Sequence, residues 1–130
     1  EMVKHAFDTL VESGYNPLLA YWEVHHELYG LIAPLAYKYG NVGMLNRVSS
    51  TARRGALTSG KRVMDAHVKK NMKGCLDDIQ SGKFANDWMK EYEEFGFKKM
   101  QEELDELSKH PLETVGKQVR KVMWPNKEDH

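Results

Sequence analysis

The sequence has little that would place this protein outside the cell or in a membrane. Cys75 is its single cysteine, so a disulfide within the chain is excluded. The first residues lack the apolar core of a signal peptide, and the apolar stretch 28–36 is interrupted by Gly30 and Pro34. A membrane span needs about 20 apolar residues, which this stretch does not reach. We therefore expect no membrane association and a reducing, cytoplasmic setting, or an organelle matrix in a eukaryote.

The sequence also lacks a charge imbalance and the common nucleotide-binding motifs. Its 19 basic residues balance its 19 acidic residues, which gives no overall attraction for nucleic acid. It contains no Gly-rich phosphate loop, no Gly-x-Gly-x-x-Gly, no Cys-x-x-Cys and no Gly-x-Ser-x-Gly. We expect no nucleic-acid partner and no dinucleotide bound in the usual way.

The apolar residues that are present recur at helical spacing. Hydrophobic residues make up 41% of 130 residues, enough for one folded domain, and no stretch alternates with the period of a strand. The sequence predicts a single all-α, multi-helix domain over residues 1–130. We predict helices at 3–13, from Pro17 to Gly40 with a kink or restart at Pro34, in short pieces over 41–60, and at 61–80, 83–90, 95–107 and from Pro111 to Pro125. The helix that starts at Pro17 is expected to be buried on most sides.

Two glutamates on that helix are the first candidate site. Glu23 and Glu27 are four residues apart, so their carboxylates project from one face about one turn apart. Such a pair can share a hard divalent ion, or it can be an exposed acidic edge. The neighbouring His25 and His26 point roughly 100° apart and cannot chelate one ion together, so at least one of them is expected to pack or to hydrogen-bond.

A polar segment with basic residues is the second candidate. Ser49, Ser50 and Thr51 can bind a substrate oxygen, although such residues mostly cap helices. The cluster of Arg53 and Arg54 with Lys61 and Arg62 can hold phosphate or carboxylate groups, or it can be a solvated surface.

Several stretches in order resemble the short, unduplicated form of the C-terminal domain of ketol-acid reductoisomerase, also called acetohydroxy acid isomeroreductase. The stretches are FDTLVESGY at 7–15, AYWEVHHEL at 20–28, VSSTARRG at 48–55, TSGKRV at 58–63, DIQSGKFA at 78–85 and HPLETVG at 110–116. The resemblance implies an all-helical, knotted domain in an intertwined homodimer, in which each subunit completes its partner's active site. It does not cover the amino-terminal NADPH-binding Rossmann domain of that family.

The resemblance also implies roles for individual residues. Glu23 and Glu27 become Mg²⁺ ligands, Ser49 a catalytic and substrate-binding residue, and Val48 and Ala52 the lining of the substrate pocket. The implied reaction converts 2-acetolactate, a small 2-hydroxy-keto acid, to a 2,3-dihydroxy acid in branched-chain amino acid biosynthesis, with Mg²⁺ and NADPH.

The chain departs from the family pattern in four ways. The Asp and Glu that supply the other metal carboxylates lie upstream of the matched segment, so Mg²⁺ has an incomplete ligand set and we expect this chain alone to be inactive. Arg53-Arg54 replaces Glu-Tyr or Lys-Tyr, Pro34 replaces aspartate, and the pairing needs about one extra residue between Leu28 and Leu31. Arg53-Arg54 and Pro34 motivate an alternative, a diverged, non-catalytic helical interaction module with the same fold.

Overall fold

The computed structural model describes residues 1–126, and these are helical, with no strand among them. The expected all-α fold is confirmed. The elements are α1 (Met2–Glu12), α2 (Pro17–Tyr21), the π-helical turns π1 (Trp22–His26) and π2 (Leu28–Ile32), α3 (Ala33–Leu45), α4 (Ser50–Thr58), α5 (Gly60–Val63), α6 (Ala66–Gln80), α7 (Lys83–Phe95), α8 (Lys98–Ser108) and α9 (Pro111–Met123).

The helix boundaries follow capping chemistry. Asn16 Oδ1 accepts a hydrogen bond from the Leu18 N–H (2.8 Å), and His110 Nδ1 accepts one from the Leu112 N–H (3.2 Å). In both cases a proline follows at the first helical position, where its missing N–H costs nothing. Gly14 and Gly82 end α1 and α6 with positive φ angles of 89° and 79°. The predicted starts and stops at these residues are confirmed.

The helix predicted for 61–80 is wrong in its first turn. The chain leaves the helical conformation at Met64, and α6 begins after Asp65. Asp65 Oδ1 accepts hydrogen bonds from the N–H groups of His67 and Val68 at 2.9 and 3.3 Å. This N-cap competes with continued helix, because it satisfies two of the donors that a new helix leaves unpaired.

The helix that begins at Pro17 also differs from expectation. It does not restart at Pro34, because Ala33 keeps helical angles (φ −64°, ψ −45°). The irregularity lies in the two π-helical turns before it, and the helical angles break at Gly40 (φ 69°, ψ 172°). Burial on most sides is wrong as well, since Leu18, Leu19 and Leu31 are nearly half exposed.

The chain divides into two compact units, and the first contains the buried core. This unit comprises Glu1–Met44 and the described part of 102–130. Its core lies where α2 packs against α1 and α9, and it consists of Phe7, Ala20, Tyr21, Leu112 and Val119. Gly116 allows the close approach of α9, because a Cβ there would lie 2.6 Å from Cε2 of Tyr21. The core therefore fixes the start of the helix that bears Glu23 and Glu27.

The second unit, Leu45–Gln101, contains α4 to α7. The structure describes all of its residues, and none of them is buried. Large apolar side chains of α6 and α7 are about half exposed, namely Met72, Leu76, Ile79, Phe84, Trp88, Met89, Tyr92 and Phe95. Helices with this pattern have apolar faces that the chain itself does not cover.

Candidate functional site

Aromatic rings hold the helix that bears the two glutamates. The Tyr21 ring stacks on His25, with centroids 4.7 Å apart and planes at 16°, and His25 contacts Tyr29 at 4.8 Å. A second row follows one position later, where Trp22 meets His26 edge to face at 4.2 Å. Both histidine rings are therefore committed to ring packing, which confirms the expectation for at least one of them.

The carboxylates of Glu23 and Glu27 lie on the helix face that these two rows leave open. Both residues are exposed. Neither has an ion-pair partner among residues 1–126. Two like charges one turn apart repel each other, and no cation of the described chain compensates them. The two carboxylates thus offer hard oxygen donors that are not paired with any positively charged side chain among residues 1–126.

A groove runs along the histidine rows. It has a volume of about 460 Å³, and its lining includes His25, His26, Tyr29 and Arg120, but neither glutamate. Burial lowers the pKa of His25 below its ordinary value of 6.5; Glu113 opposes this shift, while Arg120 and His26 add to it. The neutral imidazole is therefore favoured in the folded chain, as expected for a ring that packs between two tyrosines.

The described residues do not assemble a complete metal site. No group of three or more His, Cys, Asp or Glu residues within 1–126 is arranged to hold an ion. Mg²⁺ keeps several waters and is often bound through one or two protein carboxylates. Glu23 and Glu27 fit such an ion by donor type and by spacing, as part of a larger set of ligands.

Ser49 lies in the second unit, at the start of α4. Its Oγ accepts a hydrogen bond from the Ala52 N–H at 3.1 Å, so Ser49 is the N-cap of that helix. Because Oγ acts as the acceptor, its hydroxyl hydrogen is free to be donated elsewhere. Ala52 is exposed and Val48 is half-buried on either side of the serine. The segment can offer one donor between two small apolar side chains.

The predicted site residues thus fall in different parts of the chain. Glu23 and Glu27 lie in the first unit, and Val48, Ser49 and Ala52 lie in the second. Sequence reasoning missed two supporting contacts in the first unit, the approach of Gly116 to Tyr21 and the polar contact between His110 Nε2 and Asp8 Oδ1 at 3.1 Å. The His110-Pro111 pair signals the cap, but nothing in the sequence signals the distant Asp8.

No helix within the described residues is long and apolar enough to cross a membrane. This agrees with the absence of a membrane-spanning stretch from the sequence.

Comparison with known proteins gives a consistent answer along the chain. The family described as "Ketol-acid reductoisomerase, C-terminal domain" matches residues 1–124. The ketol-acid reductoisomerase (NADP(+)) of Nitrosopumilus maritimus is 49% identical over 125 residues, which are 96% of this chain and 37% of that protein. The enzyme of the same name from Xylella fastidiosa is 45% identical over 128 residues, 98% of this chain and 36% of that protein.

A solved structure agrees with the sequence comparison. It is titled as an NADH-preferring ketol-acid reductoisomerase from an uncultured archean, and it superimposes with a TM-score of 0.88 at 35% identity. The match covers 92% of this chain and 36% of the other. The chain thus spans a little over a third of the length of the relatives that it matches. It belongs to the ketol-acid reductoisomerase family and corresponds to the C-terminal domain of those enzymes.

Proposed function

We propose that residues 1–130 form the substrate- and Mg²⁺-binding, dimerisation domain of a ketol-acid reductoisomerase. The complete enzyme would convert 2-acetolactate-type acids to 2,3-dihydroxy acids in branched-chain amino acid biosynthesis. NADPH would be bound by a separate coenzyme domain, since this chain has no Gly-rich phosphate loop. The name shared by the relatives, which are NADP(+) enzymes, supports this coenzyme for the complete protein.

The observation that carries the proposal is the unpaired state of Glu23 and Glu27. Both carboxylates are exposed on one face of a helix whose other side carries packed aromatic rings. Rigid support of this kind keeps oxygen donors oriented before an ion binds. When bound, Mg²⁺ supplies Lewis-acid polarisation of the substrate's carbonyl and hydroxyl oxygens. The two glutamates would hold the ion together with carboxylates from the coenzyme domain.

Ser49 would bind the substrate. Its hydroxyl hydrogen is free to be donated to a substrate oxygen, because the Ala52 N–H already occupies Oγ as an acceptor. Val48 and Ala52 would form the apolar wall beside the alkyl groups of the substrate. In this proposal Ser49 orients the substrate, whereas the two glutamates bind the ion.

We further propose that the domain is a homodimer in which each subunit completes its partner's active site. The support is the second unit, where no residue of Leu45–Gln101 is buried and the apolar faces of α6 and α7 are exposed. Helix pairs of this size owe most of their stability to packing of an apolar face. A second copy supplies a matching apolar face, as a symmetric interface requires.

The non-catalytic interaction module stays as the second candidate. It is favoured by Arg53-Arg54 and Pro34, the departures from the family pattern. The side chain of Arg53 donates to a backbone carbonyl of its own unit, however, and Pro34 lies within helical backbone. Both departures are thus accommodated locally, which favours the enzyme domain.

The test joins this chain to the amino-terminal part of the Nitrosopumilus maritimus relative, which supplies the coenzyme domain. NADPH oxidation is measured with 2-acetolactate and Mg²⁺. We expect turnover by the chimera, a loss of at least about 100-fold in kcat/KM for Glu23→Gln or Glu27→Gln, and a weaker Mg²⁺ dependence. Glu12→Gln is the matched control, because Glu12 is also exposed in the first unit. An inactive chimera that binds its coenzyme would instead support the interaction module.

A further inference from the structure

The turn between α3 and α4 is closed by one side chain. Arg53 Nε donates a hydrogen bond to the carbonyl oxygen of Leu45 at 2.8 Å, across eight residues of chain. The backbone N–H of Arg53 also donates to the carbonyl oxygen of Ser49, at 2.9 Å. Arg53 therefore contacts both ends of the turn 45–49, one with its side chain and the other with its backbone.

These contacts bear directly on where Ser49 lies. Leu45 is the last residue of α3, and carbonyls at a helix end lack an intrahelical partner. The guanidinium satisfies this carbonyl and ties the end of α3 to the first turn of α4. Ser49 is itself the second attachment point, through its carbonyl oxygen, and its Oγ accepts from the Ala52 N–H. Loss of the Arg53 bond frees one end of the turn and lets Ser49 move.

Arg53 also carries a positive charge, and a role of this charge is distinct from a role of its hydrogen bond. No acidic residue occurs between Glu27 and Asp65, whereas six basic residues do. Arg53 has no ion-pair partner among residues 1–126. Its charge is therefore not neutralised by the described chain, but its Nε–H is already used by the Leu45 carbonyl. The observed hydrogen bond favours a positional use over a purely electrostatic one.

We propose that Arg53 is a positioning residue that holds Ser49 in place for the substrate by bonding the Leu45 carbonyl. This rests on the proposed function, because it takes Ser49 as the substrate contact. Arg53 itself acts through the turn and does not touch the substrate.

Two substitutions isolate the hydrogen bond from the charge. In glutamine the amide nitrogen is attached to the third side-chain carbon, as Nε is in arginine, so Arg53→Gln keeps a neutral donor at that place. Arg53→Met has a similar length but no donor. We expect Arg53→Met to raise the KM for 2-acetolactate about fivefold and Arg53→Gln to stay within about twofold of the unchanged enzyme, with the KM for NADPH unchanged in both.

The decisive measurement is a double-mutant cycle in the chimera described above. If Arg53 acts through Ser49, Arg53→Met costs little further once Ser49→Ala has removed the hydroxyl. Additive effects of the two substitutions would overturn the role of Arg53 while leaving that of Ser49 intact. Activity that Arg53→Lys keeps and Arg53→Gln loses would assign the residue an electrostatic role instead. No effect of Ser49→Ala would overturn both Ser49 and Arg53.

A second readout does not depend on turnover. Hydrogen exchange at the Ala52 amide reports whether Ser49 Oγ still accepts its hydrogen bond. We expect exchange to be about fivefold faster in Arg53→Met and unchanged in Arg53→Gln. Equal exchange in all three proteins would overturn the positioning role. An inactive chimera with the expected exchange pattern would overturn the proposed function but leave Arg53 as the residue that places Ser49.

Discussion

The two units of the chain differ in what holds them together. In the first unit the α9 helix approaches so closely that Gly116 leaves no room for a Cβ beside Tyr21, and five apolar side chains are buried. In the second unit no residue is buried, and a Cβ at Gly55, Gly60 or Gly74 would meet nothing within 4 Å. The first unit has its own core, whereas the apolar faces of the second unit are exposed.

This difference matches the division of the candidate site. The proposed ion binding by the glutamates requires a fixed orientation, and the buried residues Ala20 and Tyr21 anchor their helix in the core. Ser49 lies in the unit without a buried residue, where its Oγ accepts from the Ala52 N–H and Arg53 donates to the Leu45 carbonyl. In the proposed homodimer, the second copy would cover the apolar faces of this unit.

The largest expected effect comes from the uncovered face of α7. Trp88 is about half exposed in the chain, so Trp88→Ala changes little unless a second copy covers the ring. We expect the substitution to weaken the dimer by about 2–4 kcal/mol, because buried tryptophans dominate interfaces. Sedimentation velocity over a dilution series measures this change.

Lys90→Ala is the matched control for the tryptophan. Lys90 lies on the same helix, two residues away and therefore nearly opposite Trp88, and it is exposed. It should leave dissociation unchanged. If the unchanged protein sediments as a monomer at all concentrations, a second copy does not cover this face. That result would contradict the proposed homodimer.

A smaller effect tests the close contact in the first unit. Gly116→Ala places a methyl group 2.6 Å from a ring atom of Tyr21, which is only 3% exposed, so the ring or the helix must shift. Overpacking of this kind costs about 1–3 kcal/mol of unfolding free energy, partly offset by the better helix propensity of alanine. Urea unfolding at several protein concentrations measures it.

Gly74→Ala is the corresponding change in the second unit. Gly74 lies within α6 with open space around its Cα, so alanine should stabilise the helix by up to about 1 kcal/mol. If Gly116→Ala left the free energy of unfolding unchanged, α9 would not pack on Tyr21 as closely as described.

Much of the fold follows from local signals in the sequence. Asn16-Pro17 and His110-Pro111 start helices, and Gly14, Gly40 and Gly82 stop them, because caps and positive φ angles depend on only a few neighbouring residues. The prediction failed at Met64–Asp65, where apolar spacing continued across a cap. Spacing records which residues are apolar, not which backbone donor a side chain satisfies.

The π-helical turns show a different kind of limit. The resemblance required about one extra residue between Leu28 and Leu31, and the structure places π2 over Leu28–Ile32. A π-helical turn bonds residues i and i+5 instead of i and i+4, so it takes up one added residue without breaking the helix. The extra residue stays a prediction that rests on the resemblance, whereas the π-helical turns themselves were not predicted.

The sequence predicted which residues belong to the candidate site, but not which neighbours those residues contact. Glu23, Glu27 and Ser49 came from spacing and from the family resemblance, and their roles stay predictions. The packing of His25 between Tyr21 and Tyr29 and the hydrogen bond from Arg53 to Leu45 can be seen only in the folded chain. The expected burial of the helix from Pro17 failed because a hydrophobic pattern does not say whether the covering surface belongs to the same chain.

The smallest expected effect is a pH dependence that arises in the first unit alone. Burial holds the pKa of His25 below 6.5 in the folded chain, so the unfolded chain takes up a proton first as the pH falls. The stability that His25 contributes is therefore complete above about pH 6.5 and is lost as the pH falls from there through the lowered pKa of the folded state. Glu113 opposes this loss, whereas Arg120 and His26 increase it.

The measurement is the slope of Tm between pH 7 and pH 5. His25→Phe keeps a ring between the two tyrosines but removes the titrating group, so its Tm should fall less with acid than that of the unchanged protein. His67→Phe is the matched control, because His67 is exposed on α6 in the second unit. Should His25→Phe keep the full slope and His67→Phe lose it, the acid sensitivity would belong to the unit without a core, and the stacked histidine row would not be what couples stability to pH.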